Sequence, residues 1–491
     1  MTSFNVLYEP WIPMTNGETR SLMSALEDAG SLEGVQCESA TETFAVYRLM
    51  IAFVMDALAL PLRDERMDLL KQGRFDMAVF QAYIEKCEQE GASFDLFDEK
   101  HPFMQSAYSA AYDAPAKKGL GTEEEALKPV SALVLQLPSG NNHVFLCHSP
   151  ETRLTPGAAL RHLLSTYLFS TAMGAQDYPS SVNNAPCVYA LLRGDTLFET
   201  LVLNSLAVAE CGNIDYGKPA WRADPQVVPK KKFPRVDMLQ ALTWQPRRAR
   251  LIRGADGMIA QVSLKQGHNF QGDDLWRDPH VPYQKNKDDG YSSLKPKQGR
   301  AFWRDLGTLA ASQKENKRSQ PPTVVRNAPE DWPIYRLMLM GLVTDRYSTL
   351  ELQEEELSLP RKILEDPTCG DVLRGDLLFL EECAEILASD AQKIKNGMLV
   401  PILQDAFFLN ARTYVFEQYL GQLAACNIDD DYVELQNALH KTVSQILRQT
   451  LERETLRMGN DSRSLQERAQ LQHLVMTKYF KMAKERAYGG K

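Results

Sequence analysis

The chain has 491 residues, 44% of them hydrophobic and 24% charged, with a net charge of −9 at pH 7. Those proportions suit a globular protein with a sizeable core and exclude a low-complexity or wholly disordered polypeptide. Eight cysteines, at 37, 87, 147, 187, 211, 369, 383 and 426, include no CxxC pair, which excludes a disulfide-dense scaffold or a zinc ribbon and fits reduced cytoplasmic thiols.

The opening MTSFNVLYEPWIP has no basic stretch followed by an apolar run, so no secretory leader is expected. Thr41–Leu60 begins with a threonine cap and continues as an apolar helical pattern. Its apolar part, Phe44–Leu60, carries Arg48 and Asp56 and is too short and too charged to span a bilayer. Val130–Leu137 reads as a strand, followed by the polar loop Pro138–Asn142. Thr155–Met173 starts with Pro156 in the first turn, then repeats Leu160, Leu163, Leu164, Tyr167 and Leu168 at helical spacing. The stretch GAQDYPSSVNNAP, Gly174 to Pro186, is too rich in turn residues for a helix.

From Gly217 to Arg318 there are 21 basic and 10 acidic residues, a net of +11, which leaves −20 on the other 389. Short β-like runs, Met258–Ile259 and Val262–Leu264, alternate there with KKKFP, RGADG, KQGHN and YSSLKPKQGR, a pattern of loop-rich β structure with cationic loops. After Glu351, LQEEELSLPRKILEDP reads as a charged connector. Beyond it lie four helical segments: Gly370–Ala391, Gln404–Asn427, Asp429–Glu454 and Asp461–Tyr488. Leu377, Leu378, Leu380 and Cys383 on the first, and Phe416, Tyr419, Leu420 and Leu423 on the second, mark the expected buried faces. The expectation is an α+β chain: a large mixed domain over residues 1–360, then a four-helix bundle over 366–491.

No catalytic signature is present: GxxxxGK[ST], HExxH and GxSxG are all absent. His143, Cys147 and His148 lack a matching second pair and read as packing or surface positions, so neither a metal nor a cofactor is expected. The positive signals concern nucleic acid. Arg247, Arg248, Arg250 and Arg253 fall within seven residues, and Lys230, Lys231 and Lys232 with Arg235 form a second cluster. Phe233, Trp244, Trp276, Tyr283, Tyr291 and Trp303 are interleaved with them. Cations that neutralise phosphates beside rings that stack are what a nucleic-acid surface needs, whereas a solvated basic face would need no partner. A metal-dependent nuclease and a scaffold whose basic face holds RNA are the competing readings. The first would require an assembled carboxylate or histidine site.

FNVLYEPWIP at the start, HPFMQ at His101–Gln105, ALLRGDTLFETLVLN at Ala190–Asn204, TWQP at Thr243–Pro246, LWRDPHVP at Leu275–Pro282 and RNAPEDWPIYRLMLMG at Arg326–Gly341 occur in that order. Together they resemble the CasA family, the large subunit of the type I-E CRISPR surveillance complex, Cascade. The resemblance implies a non-enzymatic cytoplasmic subunit whose partners are other Cascade subunits, the 5′ handle of the guide RNA, duplex target DNA and a helicase–nuclease. It implies three PAM-reading elements. A wedge hairpin over about 342–352 has its tip at Arg346, Tyr347 and Ser348. A lysine before LW falls at Gly267, so Lys265 or His268 would take its place. A glycine-rich loop corresponds to the shorter stretch holding Ser180, Ser181, Asn183 and Asn184. The guide handle would meet the loop Leu135–His148, with Asn141, Asn142 and His143 as candidates for sugar or phosphate contacts.

Overall fold

The computed structural model describes residues 3–114, 127–137, 152–169, 181–183, 186–272, 276–287, 290–309, 319–330, 332–345, 348–393 and 398–488. Two compact units result: Met1–Arg300 with Pro322–Pro329 and Arg336–Glu356, and Ala301–Pro321 with Glu330–Tyr335 and Leu357–Lys491. The division is not a simple cut between 360 and 366, because the second unit takes two earlier segments.

The first unit is organised on the helix Ala40–Leu58, whose apolar side chains cover its whole circumference, as a fully enclosed helix requires. Ser39, rather than a threonine, caps it, its hydroxyl accepting from the Glu42 N–H at 3.3 Å. The helices Pro156–Phe169 and Leu197–Asn204 pack on it. Phe53 meets Phe80, Tyr83, Phe94 and Trp221 in an aromatic cluster. The three charges inside the central helix are all satisfied: Glu42 by Arg161, Arg48 by Asp278, and Asp56 by Tyr83 and Arg222. Among the described residues no single helix is long and apolar enough to cross a membrane.

Val130–Leu137 is not a strand. Only Lys128–Pro129 is extended, pairing with Val262 and Gln261, and Val130–Leu133 winds into a 3-10 turn. The spacing of three brings Val130 and Leu133 to the same buried side, a choice that a short apolar run does not reveal.

A three-stranded sheet orders Ser348–Pro360, Ile334–Asp345 and Val188–Arg193, with Ala190 opposite Leu339. The expected connector is therefore mostly the second strand of a long hairpin. Gln353, Leu357 and Leu359 turn inward while Leu352, Glu354, Glu356 and Ser358 are exposed, the period of two of a half-buried strand.

The second unit carries the four long helices: Pro367–Lys393, Leu399–Tyr414, Ile428–Glu454 and Ser462–Tyr488. The second continues through a π-helical turn, Val415–Tyr419, into Leu420–Ala425. The first and third helices each pack on the second and fourth, closing a bundle. Leu373, Leu377, Cys383, Leu403, Phe407, Val443, Leu447, Leu471 and Val475 fill it. Leu378, expected on that face, is 57% exposed, since it adjoins Leu377 and one helix step of about 100° turns it outward. Arg304 also belongs to this unit: it pairs with Glu381 at 2.6 Å and lies over Phe408. Part of the 217–318 region thus braces the bundle.

Candidate nucleic-acid interface

The arginine-rich stretch folds as the strand Arg247–Arg253, antiparallel to Ile259–Gln266, with Arg248 opposite Lys265 and Arg250 opposite Ser263. The RGADG turn joins them: Gly254 N–H reaches the Met258 carbonyl at 2.8 Å, and Gly257 takes a φ of 82°. Arg248 is fully buried. It donates to both Asp113 oxygens, to the carbonyls of Ala107 at 2.6 Å and Val227 at 3.0 Å, and to the Ser106 hydroxyl. Burial opposes ionisation of Asp113, but the Arg248 hydrogen bonds and charge hold its carboxyl below the usual carboxylate range. Arg247 is buried as well, donating to the Pro246 carbonyl at 3.0 Å. Arg250 stacks on Tyr108 and Arg253 on Phe97, each 4.9 Å from the ring centre. The arginine cluster expected to meet DNA is thus largely framework in this chain.

The interleaved rings are corrected in the same way. Trp244, Trp276, Tyr283 and Trp303 are buried, and Arg277 lies over both Tyr283 and Tyr291. The four buried rings are core residues and offer no open stacking face, whereas Phe233 and Tyr291 are half-buried.

Lys230, Lys231 and Lys232 are different. All three are exposed, as is Arg235. Lys230 adopts a φ of 58°, and its N–H donates to the Gly267 carbonyl at 2.9 Å. Lys232 and Phe233 pair in parallel with Asn269 and Phe270. The lysine turn is therefore pinned to the backbone around Gly267, the position where the resemblance implies a lysine. A side chain cannot stand at 267: a Cβ would lie 2.4 Å from the Arg247 nitrogen and 2.6 Å from the Gln245 oxygen. His268 sits among Phe233 and Trp244, at ring separations of 4.8 and 5.6 Å. Burial, with the nearby Lys231 charge, pulls its pKa down to about 4, so it is a neutral aromatic partner near pH 7 and supplies no cation. Lys265 is half-buried and donates to the Tyr112 carbonyl at 2.8 Å and to Asp113 at 3.4 Å. Of the candidates around Gly267, the 230–232 turn presents the exposed charge.

Arg346 and Tyr347, the expected wedge tip, lie outside the described residues. Ser348 is the first residue of the second strand of the hairpin. Behind that strand, Gln353 donates to the Lys297 carbonyl at 2.8 Å, and Gly299 N–H reaches Glu351 at 2.9 Å. These bonds bring the exposed Lys295 and Lys297 to the hairpin's flank. Neither stands out in the sequence as an individual candidate, although both belong to the cationic run YSSLKPKQGR.

Ser181 and Asn183 are buried. Asn183 donates to Tyr189 and Asp278 and accepts from the Trp276 indole at 3.0 Å, so its polar groups are spent inside the protein. Asp278 is the hub of that network, held by Arg48 and by the Tyr283 hydroxyl, to which its own N–H donates. His280 receives a hydrogen bond from Arg48 at Nδ1 and donates from Nε2 to the Asn204 carbonyl. Residues 276–282 of the motif LWRDPHVP thus form a largely buried junction between the central helix and the 183 segment. Ser180, Asn184, Asn141, Asn142 and His143 lie outside the described residues, as do Cys147 and His148. Among the described residues no group of three His, Cys, Asp or Glu side chains converges to hold a metal.

The model of the family CRISPR-associated protein Cse1 matches residues 5–450. A curated relative, CRISPR-associated protein CasA/Cse1 of Thermus thermophilus, is 25% identical over 421 residues, 81% of this chain and 79% of the relative. The structure of Thermus thermophilus CasA (Cse1) has the same fold, with a TM-score of 0.78 at 21% identity over 97% of this chain and 100% of that one. So does a chain of a CRISPR RNA-guided surveillance complex, with a TM-score of 0.72 at 16% identity over 97% and 100%.

Proposed function

The chain belongs to the Cse1 family of CRISPR-associated proteins, and on that footing we propose that it is the large, non-catalytic subunit of a type I-E Cascade complex. In this reading it recognises the PAM in duplex DNA, helps to open the duplex for guide RNA pairing and admits the helicase–nuclease. Its partners are the other Cascade subunits, the guide RNA 5′ handle and target DNA, and it works in the cytoplasm. In RNA-guided systems base pairing reads the sequence, and the protein reads a short duplex motif. A cationic turn would hold the duplex by its phosphates, and an inserting hairpin would open it.

The observation that carries the reading is the hairpin Ile334–Pro360, with strands of 12 and 13 residues and Arg346–Tyr347 between them. A long strand pair ending in an arginine and an aromatic ring has the chemistry of a wedge, since inserted side chains open a duplex by replacing base stacking. The Lys230–Lys232 turn, with Lys295 and Lys297, supplies phosphate neutralisation without base selectivity. A fixed lysine at 267 is sterically ruled out, so this chain draws its charge there from the turn.

The test is duplex binding by the chain with and without its neighbouring subunits, against a library randomised at the PAM. The reading expects selection of particular PAMs by the assembled complex. Uniform recovery of all sequences would contradict it.

A further inference from the structure

Several cations of the bundle are consumed inside it. Lys478 is bound to Asp390, and Arg486 donates to Asp376 at 2.6 Å from a position over the Phe379 ring. A second set is left outside. Lys441 and Arg448 lie seven residues apart on Ile428–Glu454, and Phe480 and Lys484 lie four apart on Ser462–Tyr488, so each pair shares one helix face. All four are exposed, Phe480 at 50%. The Arg448 guanidinium lies over the Phe480 ring, 5.9 Å from its centre, which joins the two faces into one stripe. The ion pairs formed nearby engage other residues, Lys481 with Glu485 at 3.9 Å and Arg453 with Glu454 at 3.7 Å. Among the described residues Lys441, Arg448 and Lys484 have no carboxylate partner.

We propose that this stripe is a binding site for single-stranded DNA, with a base stacked on Phe480 and its phosphates met by Arg448, Lys441 and Lys484. An exposed ring set among unpaired cations has the two components of single-strand recognition, a stacking platform and backbone neutralisation. A base inside a duplex has both faces occupied, so the ring selects for a strand over a helix. Lys441 and Arg448 are about 10 Å apart along the helix axis, a span of two or three phosphates. That the strand is DNA rests on the proposed function, in which opening a duplex frees a DNA strand.

The experiment is fluorescence anisotropy of the full chain with labelled oligo-dT of about twenty nucleotides, oligo-U of the same length and a matching duplex. Phe480→Ala should weaken oligo-dT binding about tenfold, and Phe480→Tyr, which keeps the ring, should restore it. Replacing Lys441, Arg448 and Lys484 by Gln should lower the slope of log affinity against log salt by about 2. Both variants should keep the melting temperature and the duplex affinity of the parent. Unchanged oligo-dT binding in both, a parallel loss of duplex binding, or tighter binding of oligo-U than of oligo-dT would overturn the proposal. Loss of PAM selection in the complex, with the oligo-dT results as expected, would support this site and contradict the proposed function instead.

Discussion

Arg248 holds Asp113, two carbonyls and the Ser106 hydroxyl from a fully buried position, whereas Lys230, Lys231 and Lys232 stand exposed on a turn. Arg248→Gln strips the buried Asp113 of its bidentate partner, leaving only Lys265 at 3.4 Å and the Ser109 N–H, and should destabilise the fold by about 3 kcal/mol, read from urea unfolding. Replacing the three lysines by Glu should change stability by less than about 0.5 kcal/mol. It should weaken duplex binding for every PAM alike and lower the salt slope by about 2–3. A stable Arg248 variant that binds DNA poorly would reverse these assignments. A second prediction concerns His280, whose pKa is pulled down to about 4 by burial and the adjacent Arg48. With its folded pKa below the unfolded value of about 6.5, the unfolded chain binds the extra proton between them. Stability is therefore full above about pH 6.5 and is lost as pH falls toward 4. Unfolding at pH 5 should need about 2 kcal/mol less than at pH 7.5 from this group alone, and His280→Asn should flatten that dependence. None of this could be read from charge along the chain. Arg248 and Lys231 count equally in a net charge, and only the position of Asp113, 135 residues away from Arg248, separates them.

The turn at Lys230–Lys232 is held by the backbone just past the strand Ile259–Gln266, where the Lys230 N–H donates to the Gly267 carbonyl. Gly267→Ala would place a Cβ against the backbone of 245–247. It should cost about 1–3 kcal/mol and weaken duplex binding by shifting the lysine turn, although 267 itself contributes no side chain. Unaltered stability with this substitution would show that the strands can separate at no cost. The long helices were legible because their apolar positions recur over many turns. The bundle helix Ile428–Glu454 begins one residue before its expected start and ends where expected. Short elements were not legible. Val130–Leu133 has one apolar run and two ways to bury it. The second hairpin strand hid behind its glutamates, because alternation with a charged outer face looks like a linker until its inner residues are seen to pack. Ser39 rather than Thr41 starts the central helix because either hydroxyl can cap, and Thr41 itself ends up buried within the first turn.

Across the molecule, an excess of +11 over residues 217–318 stands against −20 elsewhere. In the proposed function that asymmetry favours phosphate contact at the basic region and at local cationic clusters such as the bundle stripe, and disfavours it over the acidic remainder. The structure narrows it further, because Arg247, Arg248, Lys265 and Arg304 are taken up by the fold. What remains exposed is a set of lysines, which the proposed function uses together with the hairpin to hold and open DNA. The purified chain should cleave neither DNA nor RNA with Mg²⁺ or Mn²⁺; cleavage abolished by a single carboxylate substitution would overturn the binding-only reading. In the proposed function the hairpin opens the duplex, with Tyr347 lying in sequence between its two strands. A base stacked on an aromatic ring is worth roughly 1–3 kcal/mol, so Tyr347→Ala in the assembled complex should slow strand opening by about one to two orders of magnitude. The measurement is the opening rate, followed with a fluorescent base beside the PAM, on a paired linear target and on one already unpaired there. The defect should fall on the paired target alone. Equal defects on both targets, or none on either, would contradict this reading of the hairpin.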